Sequence, residues 1–425
     1  MKKSLSLVLI LSLSLPFQIA TASEDASPVV SQDMKFGVGG RLELDKMIWS
    51  PIKSGENQIL AIEETKNPVW PDLEFKRNFI SITTSGKINR TFGMNGFQEI
   101  PSIKNLVTGS IIRLSDKRFV TPLRDLFYDP NQTIYLNAYT PKMAQDSLCS
   151  NVNNNISRFV GVSRLQVSKY IPLKGGGLLA IGRDDSSPSD VAIFTIKILP
   201  NCEVDSTYGN DGIQIINVTS GKDTPNSAVE DGRGNVYLLA RSNGLNGRSV
   251  VIKLRSNGSI DQTFANNGLY FLAENAEAIS IHLDSESIQL VYRVSDPSYM
   301  TPLEILRITR NGVIRSDFGI NGVWKSSTPK KAQGYYDIAY DEASGLLVVS
   351  VSSVPPNDFE FNQVKFEIYK ETEKAFRYLG SNQDVLGYTA GIVFDTKSSF
   401  IGFRNTHKIG ESVYTTISER FVVKD

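Results

Sequence analysis

The chain is poor in the residues that most chemistry uses. Of 425 residues, two are histidine, two cysteine and three tryptophan. The histidines, His282 and His407, lie far apart and in no His-x-x-x-His spacing, which excludes the common helical zinc motif. No Asp-x-Asp-x-Asp-Gly calcium loop and no Gly-x-Ser-x-Gly nucleophile turn is present. Net charge is missing too: 45 basic and 45 acidic residues cancel, so no global field steers the chain to nucleic acid or anionic lipid. After the N-terminus no apolar run approaches the roughly 20 residues that span a bilayer. No stretch of the mature chain shows a helical stripe. No cofactor or metal is expected from these residues.

What is present begins at the N-terminus. Lys2 and Lys3 precede an apolar run over 5–15, Pro16 breaks it, and Ala20-Thr21-Ala22 offers small residues for cleavage. This pattern predicts a signal peptide over 1–22 and export to the periplasm or medium. Losing Lys2 and Lys3 leaves the mature chain with two negative charges in excess. No cysteine follows the cleavage site, which argues against a lipoprotein anchor. In an oxidising compartment Cys149 and Cys202 are expected to pair, with two free thiols as the alternative. Residues 23–35 read as a flexible lead-in to one domain over 36–425.

That domain repeats. Asn257-Gly-Ser-Ile-Asp-Gln-Thr-Phe-Ala-Asn-Asn-Gly268 has counterparts at 85–96, 201–212 and 311–322, and a fragment at Phe36-Gly37. The aromatics Phe36, Phe92, Tyr208, Phe264 and Phe318 are spaced by 56, 116, 56 and 54 residues. The double interval hides a diverged copy near residue 150. About seven units fit the mature chain, and a period of this size marks a propeller or solenoid. Compact β-branched runs at 59–62, 133–139, 178–182, 236–240, 288–292, 346–351 and 399–403 read as the second strand of each unit, with Asp/Gly/Asn turns before them. Alternating runs such as 364–369 read as third strands. The expected fold is therefore all-β: a single seven-bladed β-propeller of four-stranded blades. The chain opens on a lone terminal signature and ends on a unit without one. A strand from residues 37–44 is thus expected to complete the last blade and close the ring.

The pattern Gly-x-(Ile/Val)-Asp-x-(Thr/Ser)-(Phe/Tyr)-Gly-x-(Asn/Asp)-Gly resembles the delta-60 repeat, a bacterial β-propeller repeat. The clearest copies are at 201–212 and 257–268, whereas Asn89 and Arg315 replace the aspartate in two others. The resemblance implies a propeller fold and carries no catalytic residues over.

The recurring residues have structural explanations. Gly96, Gly212, Gly268 and Gly322 follow Asn or Asp where positive φ is expected. Phe92, Tyr208, Phe264 and Phe318 are expected to pack between blades. Asp205 and Asp261 read as turn caps, with cation binding as the alternative. The acidic run from Asp184 to Asp190 reads either as a solvated loop or as a calcium site.

Two candidate binding features remain. Arg183, Arg241, Arg293 and Arg404 align just past the second-strand ends, where the other units have Glu64, Tyr139 and Val351. As a collar on one rim they could hold an acidic glycan or a carboxylate peptide. Alternatively, each pairs with an acid of an adjacent blade, such as Asp205 or Asp261. Trp70, in an inter-strand loop, could stack on a sugar or a partner surface, or pack over a blade edge. The reading that fits best is a monomeric exported module that binds or scaffolds a protein or glycan partner, without nucleic acid. A propeller-type lyase or glycosidase with a site at the channel mouth is one alternative, and a structural part of a surface assembly is another.

Overall fold

The computed structural model describes residues 30–65, 76–101, 106–125, 133–146, 149, 154–155, 165–294, 302–327, 334–353, 363–382, 385–407 and 414–424. The leader expected at 1–22 and Trp70 lie outside these residues. Among the described residues no helix is long and apolar enough to cross a membrane.

Runs of Val, Ile and Leu bounded by tight polar turns form antiparallel meanders, because each β-branched run buries both faces against a neighbouring sheet. Seven such sheets follow one another along the chain. Blade 1 is Met47–Gly55, Gln58–Thr65, Lys76–Thr83 and Phe97–Ile100. Blade 3 is Leu165–Pro172, Leu178–Asp184, Ala192–Ile198 and Ile213–Ile216. Blade 4 is Asp223–Glu230, Val236–Ser242, Arg248–Leu254 and Leu269–Phe271. Blade 5 is Ala276–Leu283, Ser287–Val294, Glu304–Thr309 and Val323–Lys325. Blade 6 is Gly334–Asp341, Leu346–Ser353, Gln363–Glu371 and Phe376–Ser381, with Val385–Leu386 added beside the third strand.

Blade 2 departs from the expected assignment. Thr133–Tyr139 is its third strand, not its second. The second is Phe119–Asp125, and the innermost is broken into Leu106–Thr108 and Ile112–Arg113. The run at 119–125 is interrupted by Thr121, Pro122 and Arg124, so the more continuous run after it was the one that read as a second strand.

Blade 7 is built from both ends of the chain. Tyr388–Thr396, Ser399–His407 and Tyr414–Val423 are completed by Arg41–Leu44, as the sequence predicts. Val30–Gln32, which the sequence places in a flexible lead-in, also pairs with the last strand, Val30 opposite Val423. Glu419 ties both N-terminal pieces down. It takes Arg41 Nε at 2.8 Å and Gln32 Nε2 at 3.2 Å, and it pairs with the fully buried Arg404.

The core is a series of clusters, each sandwiched between consecutive blades. The recurring aromatics sit in them as expected: Phe36 between blades 7 and 1, Tyr208 between 3 and 4, Phe264 between 4 and 5, Phe318 between 5 and 6, and Phe92 packed between 1 and 2. Gly96, Gly212, Gly268 and Gly322 have φ of +101°, +100°, +91° and +86°. Four of these corners also make one backbone bond to the next blade. The amide after the aromatic donates to a carbonyl there: Gly37 to Ser85 (2.8 Å), Gly209 to Asn257 (2.7 Å), Ala265 to Asn311 (2.9 Å) and Gly319 to Lys374 (2.6 Å).

At two of these joints the aromatic meets a glycine of the following repeat face-on. A Cβ on Gly86 would stand 2.9 Å from the Phe36 ring, and one on Gly258 2.8 Å from the Tyr208 ring. At the joint between blades 2 and 3 both partners are replaced. Cys149 holds the aromatic's position, its amide donating to Asp146 as Tyr208 donates to Asp205. Cys202 holds the glycine's position, with φ +67°. The two form the disulfide, with Cα atoms 5.3 Å apart. The diverged copy near residue 150 is this exchange: a covalent bond takes the place of a ring-on-glycine contact.

Candidate functional site

The arginine collar dissolves on inspection of its partners. Arg241 Nη1 of blade 4 and Arg293 Nη2 of blade 5 converge on Glu277, at 3.2 and 2.7 Å. Arg183 pairs with Asp185 at 3.2 Å and with Gln166. These three positions are equivalent, but Arg404 is not. Arg404 lies opposite Thr389, one residue nearer the blade interior than Arg293 opposite Glu277. A one-residue slip turns a side chain to the other face of a sheet. Arg404 is therefore fully buried against Glu419, and desolvation, with Arg41 nearby, lowers its pKa to about 10. In blade 2 the equivalent backbone position is Arg124, opposite Val107, rather than Tyr139. The acids expected as partners are used elsewhere. Asp205 pairs with Lys197 (2.9 Å), and Asp261 with Lys253 (3.0 Å) and Arg255 (3.1 Å). Both also accept from the threonine two residues on, the Asx-turn geometry of a structural cap. In the acidic run, Asp184 accepts from Ser186, Asp185 faces Arg183, and Asp190 accepts from Asn217 and Gly221. These carboxylates diverge, and among the described residues no cluster could hold a metal ion.

The constellation that sequence reading missed lies at the central channel. Innermost strands are held on one edge only, so they tolerate a bulge. Six of the seven blades carry one at nearly the same level. The register shifts are at Trp49/Ile52, Val167/Lys169, Pro225/Ser227, Ala278/Ser280, Tyr335/Asp337 and Thr389/Gly391. In blade 2 the gap between Leu106–Thr108 and Ile112–Arg113, filled by Gly109 to Ile111, takes its place. Pairing with the second strands puts one residue from each of these six blades on a common level: Trp49 opposite Ile62, Lys169 opposite Ile181, Ser227 opposite Leu239, Ser280 opposite Val291, Asp337 opposite Ser350 and Gly391 opposite Phe403. Unlike the corners, this ring repeats a residue type only once, in Ser227 and Ser280.

Its members interact around and across the channel. Lys169 Nζ reaches Ser227 Oγ of the next blade at 3.4 Å. Lys169 is open to water yet enclosed on most sides, and that burial lowers its pKa, while the Asp337 charge acts in the opposite sense. Burial raises the Asp337 pKa, although the Ile338 and Ile392 amides and Lys169 oppose this. Next to the ring, His282 Nε2 lies 2.7 Å from Ser280 Oγ and its ring 5.6 Å from that of Tyr340. Burial, helped by Lys169, lowers His282 to about 4, so the imidazole is neutral at pH 7.

One side of the ring opens into a cavity of about 480 Å3 between blades 6, 7, 1 and 2. Trp49, Ser50, Ser110, Asp337 and Thr389 are among its walls. Trp49 is 38% exposed and its ring lies 6.3 Å from that of Tyr388, in blade 7. Ser50 has φ +47°, strain held by the bulge and by the bond its Oγ accepts from the Ile111 amide (3.0 Å). A second cavity, of about 380 Å3, lies between blades 5 and 6. There Arg315 replaces the repeat's aspartate, and Arg307 turns instead to Glu371 and Asp284. Its charges are thus largely paired within the joint.

No family model matches the chain, and no curated protein matches its sequence. Solved structures similar in fold include the β-propeller domain of the Trilobed protease from Pyrococcus furiosus, described as having an open velcro topology. It is 8% identical over 85% of this chain and 92% of that one, with a TM-score of 0.46. A protein of unknown function from Dyadobacter fermentans is 12% identical over 94% and 100%, with a TM-score of 0.42. An α-L-arabinanase from Penicillium chrysogenum is 13% identical over 92% and 96%, with a TM-score of 0.36. These likenesses are distant, and no residue role follows from them.

Proposed function

We propose that the protein is an exported binding propeller that takes a glycan in the cavity at the channel ring. The observation that carries this reading is Trp49. A half-open indole stands in a cavity whose other walls supply a carboxylate, Asp337, and the hydroxyls of Ser50, Ser110 and Thr389. An aromatic face stacks on the apolar face of a sugar ring, and side-chain oxygens bond its hydroxyls. Retaining and inverting glycosidases commonly use two carboxyl groups flanking the bond. Asp337 is the single carboxylate of the ring among the described residues, which supports binding over cleavage.

The test is a glycan array probed with the mature protein and with Trp49→Ala. At least a tenfold loss of retention, with an unchanged melting temperature, is expected of the variant. Undiminished retention by Trp49→Ala removes this site from the account.

One observation favours a second reading. Ser280 Oγ and His282 Nε2 stand at the distance of a nucleophile and its base. An imidazole held near pKa 4 is a poor base at neutral pH, so the pair ranks behind the glycan site. Covalent labelling of Ser280 by a fluorophosphonate would reverse that order.

A further inference from the structure

The cavity at Trp49 lies at the same level of the channel as Lys169, Ser227 and Ser280, and the charges there say which sugars the channel suits. This inference rests on the glycan reading above and specifies its ligand. Blades 3 and 6 stand on opposite sides of a seven-bladed ring. Lys169 and Asp337 occupy equivalent positions in them, one residue past the bulge. They sense each other's charge without ion-pair contact between them among the described residues. The gap between them belongs to the channel. On the Lys169 side the neighbouring ring members are Ser227, within reach of the amine, and Ser280, with His282 beside it. An ammonium and two hydroxyls make a donor-rich wall. Asp337, with Trp49 in the same cavity, makes an acceptor wall next to a stacking face.

The geometry points to a carboxylated sugar, of the uronic acid class, as the ligand of this channel. Its carboxylate faces Lys169, Ser227 and Ser280, its hydroxyls donate to Asp337, and its ring lies on Trp49. A charge-assisted bond from an ammonium held in a partly desolvated channel is stronger than a neutral one. A neutral sugar leaves that ammonium unanswered, so the acid form gains and the neutral form does not. The arginine collar had suggested an anionic ligand at the rim. Those arginines are engaged by Glu277 and Asp185, whereas among the described residues no acid stands within ion-pair distance of Lys169.

The experiment uses the mature full chain and sugar oligomers in matched pairs: galactose and galacturonate, glucose and glucuronate, mannose and mannuronate. Binding is measured by calorimetry at pH 7. The expected result is at least tenfold tighter binding of the acid member of one pair. Lys169→Gln brings that acid down to its neutral counterpart, and Lys169→Arg preserves most of the preference. Equal binding of both members of every pair overturns the carboxylate inference and leaves the glycan reading standing. No binding of any sugar overturns both. A preference that survives Lys169→Gln overturns the assignment to this channel. The wild-type comparison decides the ligand class even where a variant fails to fold.

Discussion

The blade corners and the channel ring are two regions generated by the same sevenfold framework, and they treat residue identity in opposite ways. At the corners an aromatic sits on a glycine of the next blade, as at Phe36 on Gly86 and Tyr208 on Gly258. Between blades 2 and 3 both partners change, into Cys149 and Cys202, whereas Phe92 is kept with Met143 in the glycine's place. The ring carries Trp49, Lys169, Ser227, Ser280, Asp337 and Gly391 at corresponding places, and only serine recurs among them. A corner faces another blade, so packing dictates its residues. The ring lines the channel rather than a joint between blades, so inter-blade packing does not dictate its residues. On the proposed reading, stability belongs to the first region and recognition to the second.

The sharpest way to break that contrast is to remove the one covalent corner. Cys149 and Cys202 enclose a loop of separation 53. In the chain-entropy account a loop of that size stabilises by about 4 kcal/mol. The double substitution to alanine, or reduction of the wild type, is expected to lower the melting temperature by several degrees without changing ligand affinity. An unchanged melting temperature would show that the corners do not hold the ring.

The next effect in size is at Gly258. Its φ is +88°, and a Cβ would meet the Tyr208 ring at 2.8 Å. Gly258→Val combines backbone strain with overpacking, and about 3 kcal/mol of destabilisation is expected from chemical denaturation. A paired Tyr208→Ala, which vacates the ring's space, recovers part of that loss. If it recovers none, the two residues do not form one joint.

The corners were legible in the sequence for the reason they matter to the fold: contacts that recur every 56 residues leave residues that recur. The arrival of Arg41–Leu44 in the last blade and the pairing of the cysteines across adjacent blades were legible in the same way. The ring was not. A bulge is a change of register rather than a residue, and the extra residues Ser168, Asn226, Ile279, Tyr336 and Ala390 have no feature in common. Starting the second strand of blade 7 at Ser399 also put Arg404 in the collar, one residue out of place. In blade 2, Cys149 at the aromatic position removed the landmark from which the strands could be counted. Third and second strands were exchanged there, and Arg124 was overlooked.

A pH experiment probes the border between the two regions. His282 is held neutral, its pKa depressed from 6.5 to about 4. Between those values the unfolded chain binds the proton and the folded chain does not, so stability rises with pH across this window. It is complete above pH 6.5 and falls as the pH drops toward 4. The loss is about 2 kcal/mol once channel water has screened part of the shift. Thermal melts at pH 7, 5.5 and 4 read it, and His282→Gln flattens the limb. A wild-type curve that is already flat there would mean that the channel leaves the imidazole fully hydrated.

The smallest expected effect is the most telling, because it is an expected near-zero. Lys169→Met removes a charge whose surroundings already disfavour it. The residue is open to the channel, and its contact is a 3.4 Å bond to Ser227 Oγ. Losing one long bond between accessible groups costs little, about 0.5 kcal/mol or less. Relief of the desolvated ammonium offsets even that. Lys169→Met is therefore expected to melt within about a degree of the wild type, or slightly above it, and Ser227→Ala likewise. If Lys169→Met instead destabilises the protein by as much as a corner substitution does, the lysine braces blades 3 and 4. The ring would then be a second structural layer rather than a surface set aside for a ligand.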